Sequence, residues 1–217
     1  MDDLGYKVQT VKLSDTVTFH CQRCAECCKH LTNKAMMEIW DAYQIGRALG
    51  MRTTGEVFDK FASPFPILEN YFIFTLKTGG PAQSCVFLQN DSCSIYENRP
   101  HVCRLYPFSA EPLPKRKFRY VLCHDAEHHF VGGQVNVGKW MHDAFNPEIR
   151  NFAWHDIATA SELRRLLLYV PPEKQEDALR LTLYLHYFKI DTQRPLRPQY
   201  EANHRQLFKK LRELIKL

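Results

Sequence analysis

Cys21-Gln22-Arg23-Cys24-Ala25-Glu26-Cys27-Cys28 places four cysteines in eight residues. Packing alone does not call for such a density of soft ligands. The C-x2-C-x2-C spacing is that of a bacterial ferredoxin run, in which each two-residue gap lets one turn of backbone aim successive sulfurs at a single point. Farther along, Cys85, Cys93, Cys103 and Cys123 bring the total to eight. The chain therefore reads first as a holder of an iron–sulfur cluster or of zinc. All eight cysteines are candidate ligands: Cys21, Cys24, Cys27, Cys28, Cys85, Cys93, Cys103 and Cys123.

A disulfide framework is the competing reading of an even cysteine count, and three features oppose it. Met1-Asp2-Asp3-Leu4-Gly5 is acidic and lacks the basic start and apolar stretch of a signal peptide. Cys27 and Cys28 are adjacent, so their Cα atoms lie about 3.8 Å apart, short of the roughly 4.4–6.8 Å of a usual bridge. A chain of 217 residues also builds a core without covalent staples.

Spacing also bears on the metal. Structural zinc sites commonly use two paired C-x2-C-like arms. Here the first arm alone is paired, and seven, nine and nineteen residues separate the later cysteines. Three close ligands plus remote ones favour a [4Fe–4S] cluster, with zinc as the alternative. Eight thiolates suffice for two four-ligand sites, or for one cluster with cysteines to spare. The cations Arg23, Lys29, Arg99 and Arg104 flank the cysteines and suit a cluster of net negative charge. Arg104 and Tyr106 follow Cys103 directly and carry the polar groups best placed to orient a ligand, so they are the candidate cofactor-binding pair. Histidines His20, His30, His101, His124, His128 and His129 are alternative ligands. Each reads first as a packed or surface residue.

The second motif runs Cys85-Val-Phe-Leu-Gln-Asn-Asp-Ser-Cys93-Ser-Ile-Tyr-Glu-Asn-Arg99-Pro100-His-Val-Cys103-Arg104-Leu-Tyr106-Pro107-Phe108. CxxCxxCC followed by CxFLxxxxCxIYxxRPxxCRxYPF resembles the YkgJ-type cysteine-cluster proteins, a zinc- or iron-chelating domain. The resemblance spans residues 19 to about 123 and leaves the metal open. The family carries a glycine where this chain has Ala25, and alanine reaches φ > 0 only at a cost, so the loop is expected to differ slightly there. The flagellin lysine methylases look like relatives of the cysteine region. That likeness implies methyl transfer from S-adenosylmethionine as a second functional reading, but it carries no cofactor pocket and no catalytic residue onto this chain.

Composition is that of a globular chain: 45% hydrophobic, 24% charged, net charge +5. No apolar run approaches the roughly 18 residues of a membrane span, and the expected location is the cytoplasm. No GxGxxG, P-loop or HExxH marks an independent catalytic site. The partner is an unidentified protein or small-molecule substrate. Nucleic acid is disfavoured, because the basic stretch Lys115–Tyr120 reads as a strand with one charged face.

The expected fold is α+β and mainly α with a small β element. An irregular, metal-organised cysteine domain (1–130) is followed by a helical part (131–217) packed on it as one structural unit. Expected helices are one from Asn33 to Leu49, stopped by Gly50, with Met36, Ile39, Trp40 and Tyr43 inward, and one from Gly55 to Phe61, capped by Thr54 and broken by Pro64 and Pro66. Tyr71–Leu76 reads as a strand, with Phe118–Leu122 as its partner. Ser161 is expected to cap a helix bearing Leu163, Leu166 and Leu167, and Pro171-Pro172 to open one carrying Leu181, Tyr184, Leu185 and Phe188. A last helix carries Leu207, Phe208, Leu211, Leu214 and Ile215, with a basic outer face. The C-terminal helices are expected to form one wall of a pocket at the junction with the cysteine half, with Arg104 and Tyr106 nearby.

Overall fold

The computed structural model describes residues 8–32, 34–68, 71–124 and 126–216. The chain opens with strands β1 (Val8–Val11) and β2 (Thr16–Thr18), then passes through the cysteine loop into helices α1 (Ile39–Ala48) and α2 (Thr54–Phe61). The hairpin of β3 (Ala62–Leu68) and β4 (Tyr71–Leu76) follows. Two miniature hairpins come next: β5 (Thr78–Gly79) with β6 (Ser84–Cys85), and β7 (Leu88–Gln89) with β8 (Ser92–Cys93). A short α3 (His101–Leu105) leads to β9 (Phe108–Leu113) and β10 (Lys117–Cys123). The remainder is β11 (Gln134–Asn136), α4 (Val137–Ala144), α5 (Pro147–Leu167), α6 (Gln175–Thr182), a π-helical stretch Leu183–Phe188, and α7 (Leu196–Lys216). The expected α+β class holds: long helices beside small separate sheets.

Helix starts depart from the sequence reading in instructive ways. Asn33 lies outside the described residues, and α1 begins at Ile39 with a capping box. Glu38 accepts from the Asp41 backbone, while Asp41 accepts from the Glu38 N–H at 3.1 Å. Met36 therefore precedes the helix and is exposed rather than inward. Gly50 does stop α1, at φ +68°, the left-handed conformation that glycine adopts without a Cβ clash. Thr53, not Thr54, caps α2 by accepting from the Glu56 N–H. Ser161 caps nothing: it lies inside α5, its hydroxyl bonded to the Ile157 carbonyl, and the helix starts instead at Asn146-Pro147. Pro172 does open a short 3-10 turn ahead of α6, but Tyr184 faces solvent.

Strand pairing also differs. Tyr71–Leu76 pairs with β3, the proline-bearing segment, and not with Phe118–Leu122. Instead, β10 is the centre of a three-stranded antiparallel sheet, β1-β10-β9. Lys117 and Arg119 lie on its exposed face, as the alternation suggests, and Arg119 pairs with Glu111 directly opposite on β9.

One apolar cluster includes Ile39, Ala42 and Ile45 of α1, Phe58 of α2, Phe74 of β4, Phe87 and Leu105 from the cysteine region, Met141 of α4, Phe152 of α5 and Tyr200 of α7. A second one joins Leu163, Leu166 and Leu167 of α5 to Leu185, Leu207 and Leu211. Each fully buried side chain of this size contributes about 1.5–3 kcal/mol. A histidine pair lies beside these helices: Nδ1 of His204 is 2.7 Å from the Tyr200 carbonyl, and its Nε2 is 2.6 Å from Nδ1 of His186 on the π-helical stretch. A carbonyl only accepts, so Nδ1 of His204 carries the hydrogen and Nε2 accepts from His186.

Candidate metal centre

The first cysteine loop is clamped along the segment that ends the cysteine region. β2 pairs with β11, and the ladder runs on past both strands: the Phe19 N–H donates to the Gly133 carbonyl at 3.0 Å, and the His20 N–H to the His129 carbonyl at 2.7 Å. The Gln22 side-chain amide donates to the His128 carbonyl at 2.7 Å. Gly133 permits this approach, because a Cβ there would lie 2.6 Å from the Phe19 carbonyl oxygen. The Phe19 ring is buried edge-on against Tyr106, His129 and Trp140.

That clamp sets Cys24 against two imidazoles. Its Sγ is 3.0 Å from Nε2 of His129 and 3.3 Å from Nε2 of His128. All three donor atoms lie within 4.8 Å of one another. Zinc–sulfur and zinc–nitrogen bonds of about 2.3 and 2.0 Å in a tetrahedron put donors about 3.5 Å apart, close to what is seen. His129 is 2% exposed, and the Tyr106 hydroxyl lies 3.2 Å from its Nδ1. With Nε2 on a metal, Nδ1 carries the hydrogen and Tyr106 accepts it, fixing tautomer and ring orientation. The loop backbone itself is tightly wound: Arg23 and Ala25 take φ of 53° and 63°, and a 3-10 turn spans Glu26–Cys28. Ala25 thus adopts the left-handed conformation that glycine reaches at no steric cost.

Four other cysteines, from remote parts of the chain, act on one another electrostatically. The charge of each of Cys27, Cys85 and Cys93 bears on the Cys103 thiol, and Cys27 also bears on Cys85 and Cys93. Burial pushes the Cys103 thiol far up, and the neighbouring Cys85 and Asp41 push it further. Burial also raises Cys85 and Cys93, against the pull of the Phe87 and Ile95 N–H groups and, at Cys93, of Arg99. Thiols so placed resist losing their protons to water, whereas a bound cation takes the place of those protons outright. This donor set suits a soft metal or cluster.

Neighbouring residues brace the thiols. Asp41 accepts from the His101 N–H at 2.8 Å and from its ring at 3.0 Å, fixing the first turn of α3 and with it Cys103. Burial disfavours an imidazolium at His101, but Asp41 and Glu38 overcome it and raise the pKa to about 9. The Tyr96 ring has the Arg99 guanidinium at 3.7 Å and that of Arg23 at 5.4 Å, so one aromatic ring joins both cysteine motifs.

The cysteines singled out in the sequence thus fall into groups. Cys24 lies with the two histidines, and Cys27, Cys85, Cys93 and Cys103 influence one another. Cys28 stands beside Cys27, its sulfur 4.0 Å away. Cys21 is exposed, and Cys123 is half-buried at the end of β10 opposite Val8. Tyr106 holds His129. Arg104 is packed in, and its buried Nε has no hydrogen-bond partner among the described residues. His128 and His129 read from sequence as packed or surface residues, although His128 stands four residues after His124, an HxxxH step that could have signalled a ligand; their proximity to Cys24 is created across 104 and 105 residues by the β2–β11 ladder.

Fold and site together define a small α+β protein whose clustered thiols and imidazoles form a candidate metal site. The chain belongs to the CxxCxxCC family, "Putative zinc- or iron-chelating domain", whose family model matches residues 20–129. The matched segment contains all eight cysteines and ends on His129. No curated protein and no solved structure gives a significant match. Among the described residues, no helix is long and apolar enough to cross a membrane.

Proposed function

We propose that this chain is a metal-cofactor protein with two neighbouring sites. Cys27, Cys85, Cys93 and Cys103 hold a [4Fe–4S] cluster, and Cys24, His128 and His129 hold a single zinc or iron ion. The observation that carries the reading is the mutual influence of four thiols drawn from four separated segments, one of them, Cys85, buried. Four thiolates are the common ligand set of a cubane. Arg104, next to Cys103 and with a buried Nε that has no partner among the described residues, supplies a donor for a sulfur or thiolate of negative charge. The second site has three protein donors, one short of the four that close a structural zinc site.

Anaerobic purification followed by iron, sulfide and zinc analysis tests both sites. The expected protein is brown, and Cys103→Ser removes iron and sulfide together. Cys24→Ser or His129→Ala removes the single ion and leaves the visible absorption. Colourless protein holding stoichiometric zinc and no sulfide overturns the cluster and leaves an all-zinc chelator, the reading favoured by the Cys24–His128–His129 grouping.

A further inference from the structure

A cleft of about 580 Å³ opens between α1, α5 and the turn that leads into α7. That volume is within the range of about 300–1,000 Å³ typical of small-molecule sites. No cysteine lines it, and neither Arg104 nor Tyr106 reaches it. Its floor is aromatic: Trp40 and Tyr43 of α1 and Phe152 of α5, with the Trp40 and Phe152 rings 5.4 Å apart. Its rim is basic, carrying Arg47, Arg194 and Arg197 together with His155.

The cations differ in how they are engaged. Arg197 donates to Glu201 at 2.9 Å, and the same carboxylate lies 3.7 Å from His155. Glu148, the carboxylate in the lining, forms no ion pair among the described residues. Arg47 and Arg194 likewise have no carboxylate partner among the described residues, and the Arg47 guanidinium leans over the Tyr43 ring at 5.7 Å. Arg194 is not on a loose loop. The Tyr43 hydroxyl donates to its carbonyl at 3.1 Å, and the Gln199 amide bonds the carbonyls of Asp191, Arg194 and Pro195. The turn is thus tied down from the floor of the cleft and from the first turn of α7. Two uncommitted guanidiniums at the edge of an aromatic floor, one of them on a pinned turn, form a pre-organised receptor for an anionic head joined to a flat ring.

We propose that this cleft binds a small ring-bearing anion, a phosphate or a carboxylate. Arg47 and Arg194 grip the charged head, and the ring lies on Trp40, Tyr43 and Phe152. Calorimetric titration of the metal-loaded protein tests this, using adenosine 5′-monophosphate and phenyl phosphate for phosphates, benzoate and 4-hydroxybenzoate for carboxylates, and adenosine and inorganic phosphate as ring-only and head-only controls. At least one ring-bearing anion is expected to bind at least about tenfold more tightly than either control. Both arginines are exposed, so Arg47→Gln and Arg194→Gln are expected to fold, to keep their metal and each to weaken that binding by about tenfold or more, the worth of a charge-assisted contact. The phosphate and carboxylate arms identify the head group. Absence of binding by every ring-bearing anion up to about 5 mM, or binding indifferent to both substitutions, overturns the proposal. Loss of the metal leaves this outcome unchanged, so its failure is distinct from failure of the cluster reading.

Discussion

Replacing Gly133 by alanine is expected to spring the clamp that holds His128 and His129 against Cys24. The added Cβ would sit 2.6 Å from the Phe19 carbonyl oxygen and 3.2 Å from Cβ of His20, whereas ordinary contact begins at 3.4 Å. The two backbones must separate by about 0.8 Å to accommodate it, which carries the 3.0 Å bond from Phe19 to Gly133 beyond hydrogen-bonding range and stretches the neighbouring one from His20 to His129. Losing one or two backbone bonds beside the buried Phe19 costs about 2–3 kcal/mol. For a chain of this length that lowers the melting temperature by about 5–10 °C. The shift also pulls both imidazoles away from the sulfur, so zinc affinity, measured by competition with a chromophoric chelator, is expected to fall by about tenfold or more. Gly79→Ala is the control: nothing lies within 4 Å of its Cβ position, and its effect is expected to stay within about 0.5 kcal/mol. A Gly133→Ala protein that melts and binds zinc like the parent refutes the reasoning.

Other outcomes follow from the same contacts. Tyr106→Phe keeps the ring packed against Phe19 but removes the hydroxyl from Nδ1 of His129, so zinc affinity falls about 10–100-fold with little change in melting temperature; unaltered affinity means Tyr106 does not orient the imidazole. Ala25→Gly relieves a left-handed alanine and is expected to raise stability by up to about 1 kcal/mol in chemical denaturation, while a loss of stability shows that the buried methyl outweighs the strain. Burial lowers both His186 and His204, the latter to about 4; the charge of His204 adds to the effect at His186 and that of His155 at His204, where the hydrogen bond to the Tyr200 carbonyl opposes it. Folded-state values below the ordinary 6.5 mean that the unfolded chain takes up protons first, so this pair leaves stability untouched above about pH 6.5 and erodes it from there towards pH 4, by about 3 kcal/mol for His204 alone. Imidazole NMR signals are expected to show a neutral His204 at pH 6, and an imidazolium there contradicts the assignment.

The sequence was legible where chemistry or periodicity was local. Seven cysteines in two spaced motifs, with Cys123 beyond them, announce a chelating domain, and the apolar spacing of Leu207 and Leu211 announces α7. Helix starts are less legible, since the N-cap of α1 is Glu38, where Ser, Thr, Asp or Asn is the usual signal. Pro64 and Pro66 read as breakers, yet β3 is one strand of a two-stranded ladder, where residues two apart can both turn a missing N–H away from the partner. The histidines at the site were the least legible. Nothing in the sequence around His128 and His129 tells of Cys24; only a ladder closing between residues 16–20 and 129–136 brings them together.

That ladder also bears on where the chelating unit can be cut. The family match begins at His20 and ends at His129, but the strands that draw these two ends together, Thr16–Thr18 and Gln134–Asn136, lie just outside it. A fragment trimmed to the matched residues would keep every cysteine and both histidines, yet lose the buckle that fastens them. The unit of sequence resemblance and the unit of mechanical closure are therefore different lengths of chain. A portable version of this metal centre has to be taken from residue 16 to residue 136 at least.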